Sequence, residues 1–336
     1  MIGLFIILIL VLFLPFSVKK VEHNLEAFLF VMGVAAATVS GMMNLHLIEK
    51  ALVDPINITL AVLIAGLITK WAQKPLETAI LATSKALTPR IFLALMVIIL
   101  GLASSIITAI IAAIILVIIV NVLPLERQSE VRFTVLACFS IGLGAALTPI
   151  GEPLSTIVVS KMGEDFSYLM ELIGPEVIPA VIVLGIISMF FVKTKESSNT
   201  LGSEQPAESY KEIIIRAGKI YLFVMGLTFL GRGFEPLIEK YILGLSPGLL
   251  YWINMISAIL DNATLAAAEV SPAMDGETIR AILLGLLIAG GMLIPGNIPN
   301  IISAGKLNIT SKEWAVFGLP VGLIIMAVYF VILFVF

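Results

Sequence analysis

Residues 91–125 read IFLALMVIILGLASSIITAIIAAIILVIIVNVLPL, 35 residues without a charged side chain. As one helix this stretch is about 52 Å long at 1.5 Å per residue. A bilayer core is only about 30 Å thick, and modest tilt does not absorb the excess. Two shorter arms folded into a hairpin do, and the polar break Ser104-Ser105-Ile106-Ile107-Thr108 lies near the middle. Two other apolar stretches are also interrupted. Residues 133–160 contain Thr148-Pro149-Ile150-Gly151-Glu152-Pro153, and residues 281–305 contain Pro295-Gly296-Asn297-Ile298-Pro299. Proline removes a backbone donor and clashes with the preceding turn, so both runs are expected to unwind a helix.

The pattern occurs twice. Ser257-Ala258-Ile259-Leu260-Asp261-Asn262-Ala263-Thr264 parallels the Ser104 run. Each run is followed by a polar loop (126–132; 275–280), then by a Gly-rich apolar helix ending in Pro-x-x-x-Pro. The expected organisation is an N-terminal scaffold over 1–55 and a first repeat over 56–193, with hairpin 91–125 and broken helix 133–160. A linker over 194–216, rich in Ser, Glu, Gly and Pro, precedes a second repeat over 217–336, with hairpin 245–274 and broken helix 281–305.

Composition agrees. The 336 residues are 60% hydrophobic and 13% charged, with a mean hydropathy of +1.11. An average soluble domain carries about 25% charged residues, so half that share excludes an ordinary soluble enzyme, a disordered chain and a nucleic-acid binder. Net charge −3 supplies no basic field, and the single cysteine, Cys138, excludes a disulfide framework. No phosphate-binding loop and no hydrolase or metalloprotease motif occurs, so neither ATP drive nor enzymatic activity is expected. Uncharged or nearly uncharged stretches at 1–18, 27–45, 56–69, 177–192, 220–231 and 315–336 read as further spans. No Lys or Arg precedes the first and no small-residue cleavage site follows, so it is read as a retained span. Trp71, Trp252 and Trp314 fit interfacial anchors.

The fold class expected is thus an all-α polytopic membrane protein of about eight full spans plus two re-entrant hairpins. With the hairpins re-entrant, 15 of the 20 Lys and Arg fall on one side. The positive-inside rule makes that side cytoplasmic and places both termini outside. The halves then run in opposite directions, an inverted repeat of the kind that secondary transporters build around mid-membrane helix breaks.

Non-helical backbone at membrane depth must be buried in protein or line a wet cavity. The tips and breaks carry Ser104, Ser105, Thr108, Thr148, Gly151, Glu152, Ser257, Asp261, Asn262, Thr264, Gly296, Asn297 and Asn300. Hydroxyl, amide, carbonyl and carboxylate oxygens suit a hard cation. Glu152 and Asp261 are the acids expected near the midplane, and no Lys, Arg or His lies in these segments. Buried carboxylates without a cationic partner must hold a proton or a metal cation. Glu269, about 12 Å beyond Asp261 along a helix, is expected at the water boundary or lining an external vestibule. Asn297 and Asn300 either contact the ion or cap the broken helix.

The paired tips and Pro-interrupted helices resemble the ion transporter superfamily, which includes divalent-anion/sodium symporters, arsenite permeases and sodium/proton antiporters of the NhaD type. The motif 257–264 resembles the second-hairpin motif of the antiporter-like branch, and 148–153 resembles the unwound loop where such proteins place Na⁺ ligands. The length looks most like that of a small prokaryotic family of cation transporters. The symporters carry Ser-Asn-Thr at both tips, whereas the first tip here reads Ser104-Ser105-Ile106. The resemblance implies Na⁺/H⁺ antiport in the plasma membrane, with an elevator motion and a homodimer. Na⁺ would be held by Asp261, Asn262, Thr264, Ser105, Thr108 and Asn297, without an organic cofactor. The alternative it implies is Na⁺-coupled symport of a small anion.

Overall fold

The computed structural model describes residues 2–22, 24–192, 209–241, 245–258, 262–270 and 274–335. Asp261 and residues 194–208 of the expected linker lie outside the described residues, as do the side chains of Ser257 and Thr264. Among the described residues there is no strand. The helices are α1 Ile2–Ser17, α2 Lys19–Glu22, α3 Leu25–Val39, α4 Leu45–Ala86, α5 Pro89–Ile107, α6 Ala109–Val122, α7 Arg127–Ala145 and α8 Pro153–Met162. They continue as α9 Tyr168–Phe191, α10 Tyr210–Tyr241, α11 Pro247–Ile253, α12 Asn262–Glu269, α13 Gly276–Met292, α14 Ile298–Leu307 and α15 Ser311–Phe334. Short 3₁₀ turns cover Asn254–Ala258 and Ile294–Gly296.

Among the described residues four helical stretches are long and apolar enough to cross a membrane: Pro89–Ile107, Tyr168–Phe191, Tyr210–Leu237 and Ser311–Phe334. Their outward faces are apolar, with Val316 69% and Ile324 65% exposed. That arrangement suits hydrocarbon and not water. The protein is therefore an all-α membrane protein.

Two expected boundaries move. The division at 55/56 falls inside α4, a single 42-residue helix that passes through Pro55 and Pro75 and is about 63 Å long. It overruns the expected span 56–69 because neither proline ends it. The linker expected to reach 216 stops earlier, since α10 begins at Tyr210. The polar runs 126–132 and 275–280 are not loops but the first turns of α7 and α13. Asp275 caps α13 by accepting from the Thr278 N–H at 2.7 Å.

Contacts fix the helix directions. Ser140 donates to Val97 O and Ser104 to Ile141 O, and Thr148 donates to Ser105 O, so α5 and α7 run parallel. Thr108 ends α5 and starts α6, and the Ala109 N–H donates to Gly151 O at 2.9 Å, beyond the end of α7. Since α6 returns to the start of α7, it runs against both. In α9, Val181 lies against Gly101 and Gly185 against Ala94, so α9 also descends. It begins roughly two helical turns beyond the level of Thr108, so the α5–α6 tip stops short of that face.

The later helices run the other way. Arg280, at the start of α13, donates to Leu172 O near the start of α9. Arg127, at the start of α7, donates to Leu307 O and Asn308 O at the end of α14. The path α13–α14 is thus antiparallel to α7. α14 packs on α6, and α8 packs on α12. A second layer is formed by α3, α4 and α10, with α10 packed along α3 and α4 and brought close to α3 at Gly33 and Gly226, as small residues allow in lipid.

Arg127 ties the two halves together at one face. Its Nε and Nη2 reach the Glu313 carboxylate at 2.8 and 2.9 Å, and Nη1 reaches Glu130 at 3.0 Å. With the two carbonyls, all five N–H donors are engaged. Glu313 also completes the capping box of α15 with Thr310. Lysine offers a point charge, not a planar fork. Arg127→Lys should therefore cost about 1–2 kcal/mol and lower the melting temperature in detergent by a few degrees. An unchanged melting curve in tryptophan fluorescence would show that the fork contributes nothing.

Candidate functional site

The first hairpin tip and the first helix break meet at one level. The single residue breaking α5 from α6 is Thr108, at φ 73 and ψ 148, so the break is narrower than the run 104–108. Its Oγ1 caps α6 by accepting weakly from the Ile111 N–H at 3.5 Å. Ser104 is fully buried and donates to Gly101 O at 2.6 Å and Ile141 O at 3.0 Å. Its hydroxyl pins α5 to α7, which corrects the expectation that it faces the ion. Ser105 donates to Leu102 O at 2.7 Å, and its oxygen keeps lone pairs for a cation. Thr148 bridges break and tip through Ser105 O, so it positions the tip.

The break between α7 and α8 is held by the chain itself. Ser155 donates to Ala146 O at 3.2 Å and Thr156 to Pro149 O at 2.6 Å, while Gly151 O accepts from Ala109. These carbonyls, expected to serve an ion, each spend one lone pair on protein. Glu152 follows directly. It is 7% exposed, sits at the N-cap of α8 and makes no side-chain capping bond. Pro153 at the first helical position loses no bond, since that donor would be orphaned in any case.

The second break lies between α13 and α14. Asn297 is 5% exposed, adopts extended backbone and makes no side-chain capping bond. Its amide lies against Gly142 of α7, where a Cβ would come within 2.6 Å. Asn300 is fully buried and does not cap α14. Its Nδ2 donates to Gly290 O at 2.8 Å, in the last turn of α13, and to Leu293 O at 2.9 Å, just beyond it. Gly296 O lies 3.1 Å from where a Cβ on Gly290 would sit. Asn262, at the start of α12, is 3% exposed with its Nδ2 beside Gly290. The structure thus groups Ser105, Thr108, Thr148, Gly151 and Glu152 at one break, and Asn262, Gly296, Asn297 and Asn300 around the other. The two groups are linked by Asn297 on Gly142 and by α8 on α12. Among the described residues no group of three or more His, Cys, Asp or Glu is placed to hold a metal.

Two expectations are corrected. Trp314 is not an interfacial anchor. It is fully buried, and its Nε1 donates to Gly291 O at 3.1 Å, covering a carbonyl freed where α13 ends. Glu269 is not at the water boundary but 1% exposed. Asn254, also fully buried, escaped the sequence reading. An amide inside the apolar run 249–260 is the signal that marks it.

A cavity of about 450 Å³ opens between the two layers on the Arg127 face. It is lined by Glu26, Lys219 and Phe223 on one side and by Ile294, Ala304 and Asn308 on the other. Ile294 belongs to the second break, so the cavity reaches it.

Two broken helices joined where the Asn297 amide packs on Gly142, with Glu152 and Asn300 buried at the breaks and apolar side chains on the outward faces, define a polytopic membrane protein. The chain belongs to the family described as "Protein of unknown function (DUF1646)", which matches residues 1–336. No curated protein matches it.

Proposed function

We propose that the protein is a secondary cation transporter that exchanges Na⁺ for H⁺ across the plasma membrane. In this reading the stretch α4–α9 and the stretch α10–α15 form an inverted repeat with two re-entrant hairpins among about eight full spans, both termini lying outside. Glu152 and Asp261 bind Na⁺ when ionised and a proton otherwise, so one site serves both ions and couples their fluxes. Ser105, Thr108, Asn262, Thr264 and Asn297 add oxygens. The observation that carries the reading is the meeting of tip and break at Ala109–Gly151, beside the buried Glu152. A carboxylate in a low-dielectric site is stable only with a cation or a proton.

The elevator motion is supported by the cavity between the layers, which opens the second break to the cytoplasmic side in this reading. The layer α3, α4 and α10 is the scaffold and the homodimer surface, and the hairpins with the broken helices carry the ion past it. Asp261→Asn removes the titrating oxygen while keeping size. In proteoliposomes with an imposed pH gradient and a pH dye, Na⁺ is expected to dequench wild type but not Asp261→Asn. Retained Na⁺-driven dequenching in the variant would sink the assignment. Uptake that needs a supplied anion would replace it with Na⁺-coupled symport.

A further inference from the structure

Glu269 ends α12 with its side chain buried, and neither carboxylate oxygen has a hydrogen-bond partner among the described residues. Its polar neighbour is the Asn254 side chain. Asn254 is fully buried, its Nδ2 lies 3.5 Å from Ile282 O, and its Oδ1 has no partner among the described residues. The elements packed against α12 are α8, α10, α13 and the 3₁₀ turn of Asn254. α8 is preceded by Glu152 and carries Lys161, α10 carries Lys211, Glu212, Arg216, Lys219, Arg232, Glu235, Glu239 and Lys240, and α13 carries Glu277 and Arg280. Arg232 is paired with Glu235 at 2.6 Å and Arg280 with Glu176 at 3.5 Å. Among the described residues no cationic side chain pairs with Glu269.

The first half has no such pair. Counted from Ser104 and Ser257, the positions of Asn254 and Glu269 correspond to Gly101 and Leu116. Gly101 is pressed against α7, and Leu116 is fully buried in the apolar core. The polar pair also stands apart from the tip. Asn254 lies against Gly285 and Asn262 beside Gly290, which separates them by about 8 Å along α13. The pair lies on the side where α13 begins.

The geometry points to Glu269 as a proton-carrying group distinct from the tip carboxylates, with Asn254 as its partner. It relays protons between the tip and the face where α13 begins. A hard metal cation takes about six oxygens, and these two side chains offer three. A proton needs one carboxyl, which then donates a hydrogen bond instead of standing ionised and unpaired. The relay role rests on the antiport reading, but the protonation does not.

The test is infrared spectroscopy of the purified full chain at neutral pH in H₂O and D₂O. Wild type is expected to show the carbonyl stretch of a buried protonated carboxyl, shifted in D₂O. That band is lost in Glu269→Gln, kept in Asp261→Asn and moved in Asn254→Leu. Asn254→Leu serves also if Glu269→Gln does not fold. A band unchanged in both Glu269→Gln and Asn254→Leu overturns the proposal, as does a wild-type band abolished by Na⁺ alone. If the band behaves as expected while wild type exchanges no Na⁺ for H⁺, the proton site stands and the antiport reading fails. In proteoliposomes, Glu269→Gln should shift the pH profile of exchange, which loss of packing alone would not.

Discussion

Gly144→Ala is expected to leave little protein that runs as a single species in detergent. A Cβ on Gly144 would lie 1.8 Å from Gly101 O and 3.2 Å from Ser104 Oγ. The first of these is backbone, so no rotamer change relieves it, and α5 must move away from α7. That movement breaks the hydrogen bonds from Ser140 to Val97 O, Ser104 to Ile141 O and Thr148 to Ser105 O. Overpacking costs about 1–3 kcal/mol where side chains can yield, and a backbone clash lies at or above the top of that range. The total stability of a typical domain is about 5–15 kcal/mol. Gly305→Ala is the control, because its Cβ meets nothing within 4 Å. Size-exclusion profiles and melting curves of both variants check this. A Gly144→Ala protein that melts like wild type would mean that α5 and α7 do not approach so closely.

Thr108→Gly should raise thermal stability and slow exchange. At φ 73 and ψ 148 Thr108 occupies a region that side chains rarely adopt, costing about 1–3 kcal/mol. Glycine adopts it freely but loses about 0.5–1 kcal/mol more chain entropy on folding. The cap to Ile111 at 3.5 Å is too weak to reverse the balance, so a net gain of about 1 kcal/mol is expected. If the hydroxyl also holds the ion, Na⁺-driven dequenching falls in the same variant. Thr108→Ala relieves no strain, and so separates the two effects. A lower melting temperature for Thr108→Gly would refute the strain, and unchanged exchange would remove Thr108 from the ion site.

Much of the architecture was legible because membrane segments announce themselves by charge. An uncharged run of 35 residues does not fit one span, and Pro149–Pro153 and Pro295–Pro299 do mark where α7 and α13 give way. What was not legible depends on direction around a helix. Ser104 and Ser105 are adjacent hydroxyls, yet only Ser104 faces α7 and is spent on Ile141 O. Trp314 reads as a boundary residue from its place near Lys312 and Glu313, but its ring turns inward to Gly291 O. Glu269 misled for a similar reason. A carboxylate eight residues beyond Asp261 looks like a helix running out to water, but the packing of α8, α10 and α13 around α12 closes over it. The division at 55/56 and the span 56–69 follow from charge alone, whereas α4 runs unbroken from Leu45 to Ala86 through Pro55 and Pro75.

The crossed packing, α14 on α6 and α8 on α12, has a consequence for synthesis. A ribosome delivers the chain from residue 1 onward, so α4, α5 and α7 cover α6 early, but the part of its face that α14 covers is met only when Ile298–Leu307 has been made. Until then that part must wait in the membrane beside lipid or the insertion machinery. Each half is thus an incomplete template that the other finishes. The vulnerable moment in this protein's life falls between the two halves, so slowing translation across residues 209–300 should cost more assembled protein than slowing it anywhere later.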